Sequence, residues 1–145
     1  MVLEEEKIKN ICNFYVSEYH LEIMLLPYIS KKIDKGEEII IVTENDLRKT
    51  LKVVIDKINL EQNKKEKIKA LNWNNKKIEG IPKMSDIILV GSVKFITNIM
   101  NELKENNINF FKIIVCYNYN EVKDNMQNIV SRYDAMLNTL GINSI

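Results

Sequence analysis

The chain has few of the residues from which phosphate sites and nucleophilic sites are built. Only four of its 145 residues are glycine, and neither G-x-x-x-x-G-K-[ST] nor G-x-G-x-x-G is present. The usual glycine-rich phosphate loops are therefore excluded. His20 is the only histidine, so a Ser-His-Asp or Cys-His pair would depend on this one residue, which we expect to be structural. Because no group of Cys and His residues suits a metal, we predict no metal, no cofactor and no catalytic residue.

Cysteine, net charge and long apolar runs are scarce as well. Cys12 and Cys116 each lie in an apolar segment that predicts a buried strand, so we expect both to be reduced, inert core residues. The formal net charge is +1, which favours neither nucleic acid nor an anionic membrane. No apolar run approaches the roughly 18 residues of a membrane span, and the acidic start lacks the features of a signal peptide. We therefore expect a cytoplasmic protein that binds neither a membrane nor nucleic acid.

The segment from Asn10 to Asp46 carries the clearest pattern that is present. Ile11 to Val16 predicts a short strand, Ser17 stands where a helix N-cap belongs, and Gly36 ends the helix before the apolar strand Ile39 to Thr43. A strand that is apolar at successive positions is typical of a parallel sheet covered by helices on both faces. We predict one domain over residues 1–145, an α/β three-layer sandwich with a mostly parallel sheet.

The rest of the chain predicts further helices and strands of the same kind of fold. A helix is expected from the spacing of Leu47 to Ile58, capped by Thr43 or Asn45. The other expected elements are a solvated helix or loop over Asn59 to Lys69, a third strand over Ile68 to Trp73, a loop over Asn74 to Lys83, a buried strand over Phe110 to Tyr117, and a helix over Val122 to Leu140.

One segment, Asp86 to Val90, fits two patterns. With Gly91 and Ser92 it resembles a strand followed by a helix cap. Its residues also continue an apolar stripe at helical spacing, which favours a single helix from about Ser85 to Glu105 with Gly91 in its interior. We predict the single helix, and the strand remains the alternative.

Polar and aromatic residues follow several predicted strands. In an open α/β sheet the carboxyl ends of parallel strands meet at one edge, where ligands bind. The predicted ligand-binding residues at this edge are Tyr15, Ser17, Glu18, Thr43, Glu44, Asn45, Trp73, Tyr117, Asn118 and Tyr119. An equally simple interpretation makes Ser17, Thr43 and Asn45 helix caps and makes the aromatic residues covers for the rim of the sheet.

Several short motifs resemble the MEDS domain, the methanogen/methylotroph sensory domain. The matching segments are Phe14-Tyr15, Pro27-Tyr28-Ile29, Gly36-Glu37, Ile41-Val42-Thr43, Ile68 to Trp73 and, as the family's closing helix, Arg132 to Asn138. The resemblance implies a fold like that of RecA and KaiC without the phosphate loop. It also implies a non-catalytic sensory or regulatory module that binds a small molecule or a signalling protein rather than ATP.

The chain departs from the MEDS pattern at both ends. It has Lys9-Asn10 where members have a histidine, and Asn118 where they have an acidic residue. It also stops soon after Leu140, so a trimmed sheet with an edge for a second copy, and hence a homodimer, is expected. Two alternatives to the regulatory module remain open. They are a degenerate nucleotide-binding protein or small enzyme that uses the strand-end residues, and a self-associating interaction protein.

Overall fold

The computed structural model describes residues 8–82 and 84–145, which form an α/β fold. Its elements are β1 (Asn10–Tyr15), α1 (Glu18–Asp34), β2 (Ile39–Thr43), α2 (Arg48–Lys57), α3 (Gln62–Lys69), β3 (Ser85–Gly91), α4 (Val93–Glu105), β4 (Phe110–Asn118), α5 (Tyr119–Val122), a 3₁₀ turn (Lys123–Asn125), α6 (Met126–Val130), β5 (Ala135–Asn138) and β6 (Gly141–Ser144). None of the helices in the described residues combines the length and apolarity that crossing a membrane requires.

The strands form one six-stranded sheet in the order β2-β3-β4-β1-β5-β6. Every neighbouring pair is parallel except β5 and β6, which form an antiparallel hairpin. The apolar strands β3 and β4 lie in the interior of the sheet, where both faces are covered. The predicted mostly parallel sheet is therefore confirmed, with the three strands predicted for β1, β2 and β4 within about a residue of their observed bounds.

Two apolar clusters cover the two faces of the sheet. The first joins the sheet to α1, α2 and α3 and includes Leu25, Ile55 and Ile68. The second joins it to α4, α5 and α6 and includes Ile99 and Ile129. Because each strand sends alternate side chains to opposite faces, both clusters draw on the same strands. The predicted α/β/α sandwich is confirmed by this three-layer arrangement.

The single helix predicted from Ser85 to Glu105 is wrong. Ser85–Gly91 is the strand β3, buried at all seven positions, and it pairs with β2 on one side and β4 on the other. The Ser92 side chain then caps α4 by accepting a hydrogen bond from the Phe95 N–H at 3.2 Å. A short, continuously apolar run fits helical and strand periods equally, so its place between two other strands decides its structure.

The third strand predicted over Ile68 to Trp73 is also wrong. Ile68 lies in the last turn of α3, and the chain then continues as a loop. The Trp73 indole N–H donates a hydrogen bond to the Ile68 carbonyl at 2.8 Å, and its side chain is only 1% exposed. Both apolar residues thus enter the core beside α3 without forming a strand, which local apolarity alone does not reveal.

The long helix predicted over Val122 to Leu140, and with it the closing helix suggested by Arg132 to Asn138, is not formed. The chain instead makes α5, the 3₁₀ turn and α6, and then turns into the hairpin of β5 and β6. The Asp134 carboxylate accepts hydrogen bonds from the Lys9 and Asn10 N–H groups, both at 3.0 Å. This contact sets β5 beside β1, and the ladder with β1 replaces helical hydrogen bonds.

Candidate functional site

The carboxyl ends of the central strands meet at one edge of the sheet, as predicted. Tyr15 at the end of β1 lies opposite Asn118 of β4, and Thr43 at the end of β2 lies opposite Val90 of β3. Gly91, the last residue of β3, lies opposite Tyr117. We call this place, with the residues that directly follow the four strands, the strand-end edge.

At the strand-end edge, two carboxylates occupy the N-terminus of α4. Glu44 accepts a hydrogen bond from the Ser92 N–H at 2.8 Å, and Glu121 accepts one from the Val93 N–H at 2.9 Å. Free N–H groups and the helix dipole make such an end a natural anion site. Here the chain's own side chains supply the negative charge. Sequence reasoning found Glu44 but missed Glu121, which no local motif marks.

Tyr15, the last residue of β1, is buried at the same edge. Burial, above all, raises the pKa of its hydroxyl well above the usual value. The nearby Cys116 raises this pKa further, and so do the carboxylates of Glu18, Glu121 and Glu44. The phenol therefore stays neutral, and the acidic side chains that act on its pKa come from three separate parts of the chain. The Tyr15 side chain is only 6% exposed and belongs to the first apolar cluster, whereas Glu44 and Glu121 are exposed, so the surface of this edge is acidic.

The N-terminus of α1 is capped by polar side chains of its own segment. The Ser17 hydroxyl accepts a hydrogen bond from the His20 N–H at 3.1 Å, and His20 Nδ1 accepts one from the Val16 N–H at the same distance. His20 thus joins the cap of its own helix, in keeping with the structural role expected for it. Ser17 likewise serves as the N-cap that its position predicted.

A second acidic group lies between α1 and α2. The Thr50 hydroxyl donates a hydrogen bond to Glu22 Oε2 at 2.6 Å and lies 3.5 Å from Glu18 Oε2. Glu22 is fully buried, and its Oε1 has no hydrogen-bond partner. Burial first, and Glu18 to a lesser extent, raises the pKa of Glu22 to about 7. The sequence analysis missed Glu22, although its place within an apolar stretch of helix could have indicated a buried carboxyl.

Several predicted ligand-binding residues have structural roles. Thr43 is buried and donates its hydroxyl proton to the Asn45 carbonyl at 2.8 Å. Neither residue caps α2, since the Asp46 carboxylate accepts the Arg48 N–H instead. The expected capping by Thr43 or Asn45 is therefore wrong, because the chain makes an additional turn before α2 begins at Arg48.

The aromatic residues that were predicted to bind a ligand are of two kinds, buried and exposed. Tyr117 is buried, stacks on Phe14 and shares a 2.6 Å hydrogen bond with the Tyr133 hydroxyl. Tyr119 is partly exposed, and Asn118 before it caps α5 by accepting the Asn120 N–H at 2.9 Å. Trp73 belongs to the core and does not lie at the end of a strand. Tyr119 is thus the predicted aromatic residue left with an exposed ring.

Four surface cavities lined by described residues lie away from these side chains. Four cavities of 320 to 460 Å³ have their linings on the described parts of the chain, and none of the predicted ligand-binding residues lines any of the four. One of them, of about 390 Å³, separates α1 from the hairpin of β5 and β6. Within residues 8–82 and 84–145, no group of three or more His, Cys, Asp or Glu side chains is placed to hold a metal ion.

Comparison with protein-family models, with curated proteins and with solved structures returns no match. What the chain does must therefore be inferred from its own geometry. That geometry defines a three-layer α/β protein whose strand-end edge is acidic and whose α4 N-terminus is already occupied by carboxylates.

Proposed function

We propose that this chain is a non-catalytic sensory or regulatory module that binds a small molecule at the strand-end edge, as the resemblance to the MEDS domain implies. The main observation behind this proposal is that Glu44 and Glu121 accept the hydrogen bonds of N–H groups at the α4 N-terminus. In α/β proteins this is a position from which a helix binds phosphate. A chain that fills it with its own carboxylates is suited to a ligand without phosphate.

The charge at the strand-end edge supports a cationic or neutral ligand. Glu44 and Glu121 accept hydrogen bonds from the successive N–H groups of Ser92 and Val93, so two carboxylates lie close together at this edge. An ammonium group would be attracted there, whereas a triphosphate would be repelled by like charge. The exposed ring of Tyr119 adds an aromatic surface. The two buried thiols suit a reducing compartment, which favours the cytoplasm.

Native mass spectrometry of the protein isolated from its own cells tests this proposal. We expect a small cationic or neutral molecule to remain bound, and we expect calorimetry with Mg-ATP to show no binding at micromolar concentrations. A co-purified nucleotide, or micromolar affinity for Mg-ATP, would favour the degenerate nucleotide-binding protein instead.

A double variant, Glu44→Gln with Glu121→Gln, separates charge from helix capping. Glutamine still offers a carbonyl oxygen to the Ser92 and Val93 N–H groups, so the cap remains while two negative charges are lost. We expect the variant to retain less of the bound molecule than the wild type. Glu102→Gln, at an exposed position near the other end of α4, is the control and should retain as much as the wild type.

A second candidate function is the binding of a partner protein through α1. Val16 lies just before this helix, Tyr19 and Ile23 lie in its first two turns, and all three are between 47% and 57% exposed. Ile23 also lines an apolar cavity of about 340 Å³ with Leu26 and Ile58. An exposed apolar patch beside a cavity is typical of interaction surfaces.

Sedimentation equilibrium of the wild type and of Ile23→Glu tests self-association through this patch. A wild-type dimer that Ile23→Glu converts to monomers would support the self-associating interaction protein. A wild type that remains monomeric at high concentration would count against a homodimer. Val53→Glu, an exposed apolar position on α2, provides the control for the added charge.

A further inference from the structure

We propose that the cavity between α1 and the hairpin of β5 and β6 binds a small carboxylic acid with an apolar body. This hairpin cavity has a volume of about 390 Å³, within the range of about 300 to 1,000 Å³ found for small-molecule sites. It shares no residue with the strand-end edge, so the inference is independent of the function proposed above.

The walls of the hairpin cavity are largely apolar. Met24 and Pro27 come from α1, and Leu137, Leu140 and Ile142 come from the hairpin. Both walls belong to elements that are built into the fold, because Leu137 is buried in the first apolar cluster and Met24 packs in the same cluster. Such a lining favours the hydrocarbon part of a ligand over water.

One cation at the hairpin cavity has no partner within the described residues. Lys31 lines the cavity and forms no ion pair or side-chain hydrogen bond with residues 8–82 and 84–145. Its neighbour Lys32 contrasts with it, since Lys32 Nζ lies 2.8 Å from Glu37 and 3.1 Å from Asp86. The unpaired ammonium of Lys31 thus matches a carboxylate at the end of an apolar ligand, and it disfavours an amine.

The turn of the hairpin brings an exposed leucine to the same cavity. Leu140 is 90% exposed, the highest value among the large apolar side chains noted as exposed. The Asn138 side chain accepts a hydrogen bond from the Leu140 N–H at 2.8 Å and so holds the turn. Because Leu140 also lines the cavity, a ligand with an apolar body would cover part of its surface.

Isothermal titration calorimetry with three probes of equal chain length tests the assignment. The probes are octanoate, octylamine and octanol, which have eight carbons each and carry an anionic, a cationic and a neutral head group. We expect octanoate to bind most tightly. Equal affinity for all three, stronger binding of octylamine, or no saturable binding of octanoate would overturn the proposal.

Two pairs of variants locate the binding. Lys31→Gln should weaken the binding of octanoate by about tenfold or more, since a charge-assisted contact is lost. Lys35→Gln, on the exposed C-cap of α1, should leave the affinity for octanoate unchanged. Leu140→Ala should weaken the binding of octanoate by a few-fold, and Val53→Ala, at an exposed position on α2, should leave it unchanged. Both Lys31 and Leu140 are exposed, so loss of folding is not expected. Wild-type affinity in both cavity variants would refute the site.

Discussion

The variant Trp73→Ala tests whether Trp73 is a core residue or part of the wall of a ligand site. The side chain is 1% exposed within the first apolar cluster, and its indole N–H donates to the Ile68 carbonyl at 2.8 Å. Truncating a large buried aromatic residue costs about 3 to 5 kcal/mol of unfolding free energy. The backbone around it also matters, because the Trp73 carbonyl accepts the Leu47 N–H at 3.0 Å just before α2. We therefore expect Trp73→Ala to lose about 3 to 5 kcal/mol.

Urea unfolding followed by far-ultraviolet circular dichroism measures this loss, because the variant removes the only tryptophan fluorophore. Trp73→Phe is the matched control, since it keeps much of the apolar area and loses the N–H donor. It should cost less than the alanine variant, with about 1 kcal/mol from the lost hydrogen bond. A loss of less than about 1 kcal/mol in Trp73→Ala would contradict the core position and restore Trp73 as a residue at an open rim.

The remaining predictions concern a buried carboxyl, a close backbone contact and the thiols. The pKa of Glu22 is raised from its ordinary value to about 7 in the folded state, so its protonation stabilises the fold at low pH and this contribution disappears as the pH rises toward and through 7. We expect wild-type stability to fall by roughly 2 to 3 kcal/mol between about pH 4.5 and pH 8 from this group, and Glu22→Gln to flatten that fall in urea titrations. A Cβ at Gly91 would lie 2.6 Å from the Phe95 ring, so Gly91→Ala should lower the free energy of unfolding by about 1 to 3 kcal/mol. Adding Phe95→Leu should recover part of this loss. A Gly91→Ala protein as stable as the wild type would refute the contact. Burial raises the pKa of Cys12 to about 11 and that of Cys116 further. We therefore expect a maleimide to label either thiol only after unfolding. Rapid labelling of the folded protein would contradict this expectation.

The structural elements that depend on patterns among neighbouring residues were predicted well from the sequence. Ser17 and Gly36 mark the two ends of the region around α1, and the apolar strands β1, β2 and β4 follow from their composition. Errors occurred where a local pattern fits two structures. The apolar run of β3 extended the stripe of α4, and the residues after Val122 had helical spacing although part of them forms β5.

The candidate site was predicted only in part, for a similar reason. Tyr15, Glu18 and Glu44 were predicted at this edge because they lie at or just after the ends of predicted strands, whose carboxyl ends meet in any parallel sheet. Glu121 and Glu22 were missed because their importance depends on contacts with residues distant along the chain. Glu121 lies 28 residues from Val93, which it caps, and Glu22 lies 28 residues from Thr50.

The sequence by itself determined the class of fold, the absence of the known glycine-rich phosphate motifs and the apolar setting of both cysteines, because composition and short-range periodicity encode these properties. Only the tertiary structure decided the order of the strands and the surroundings of each polar group. The strand order places Glu44 and Glu121 on either side of the α4 N-terminus and brings β5 and β6 against α1 to form the hairpin cavity. These contacts join segments far apart along the chain, and their formation depends on how the whole sheet packs rather than on any local pattern of residues.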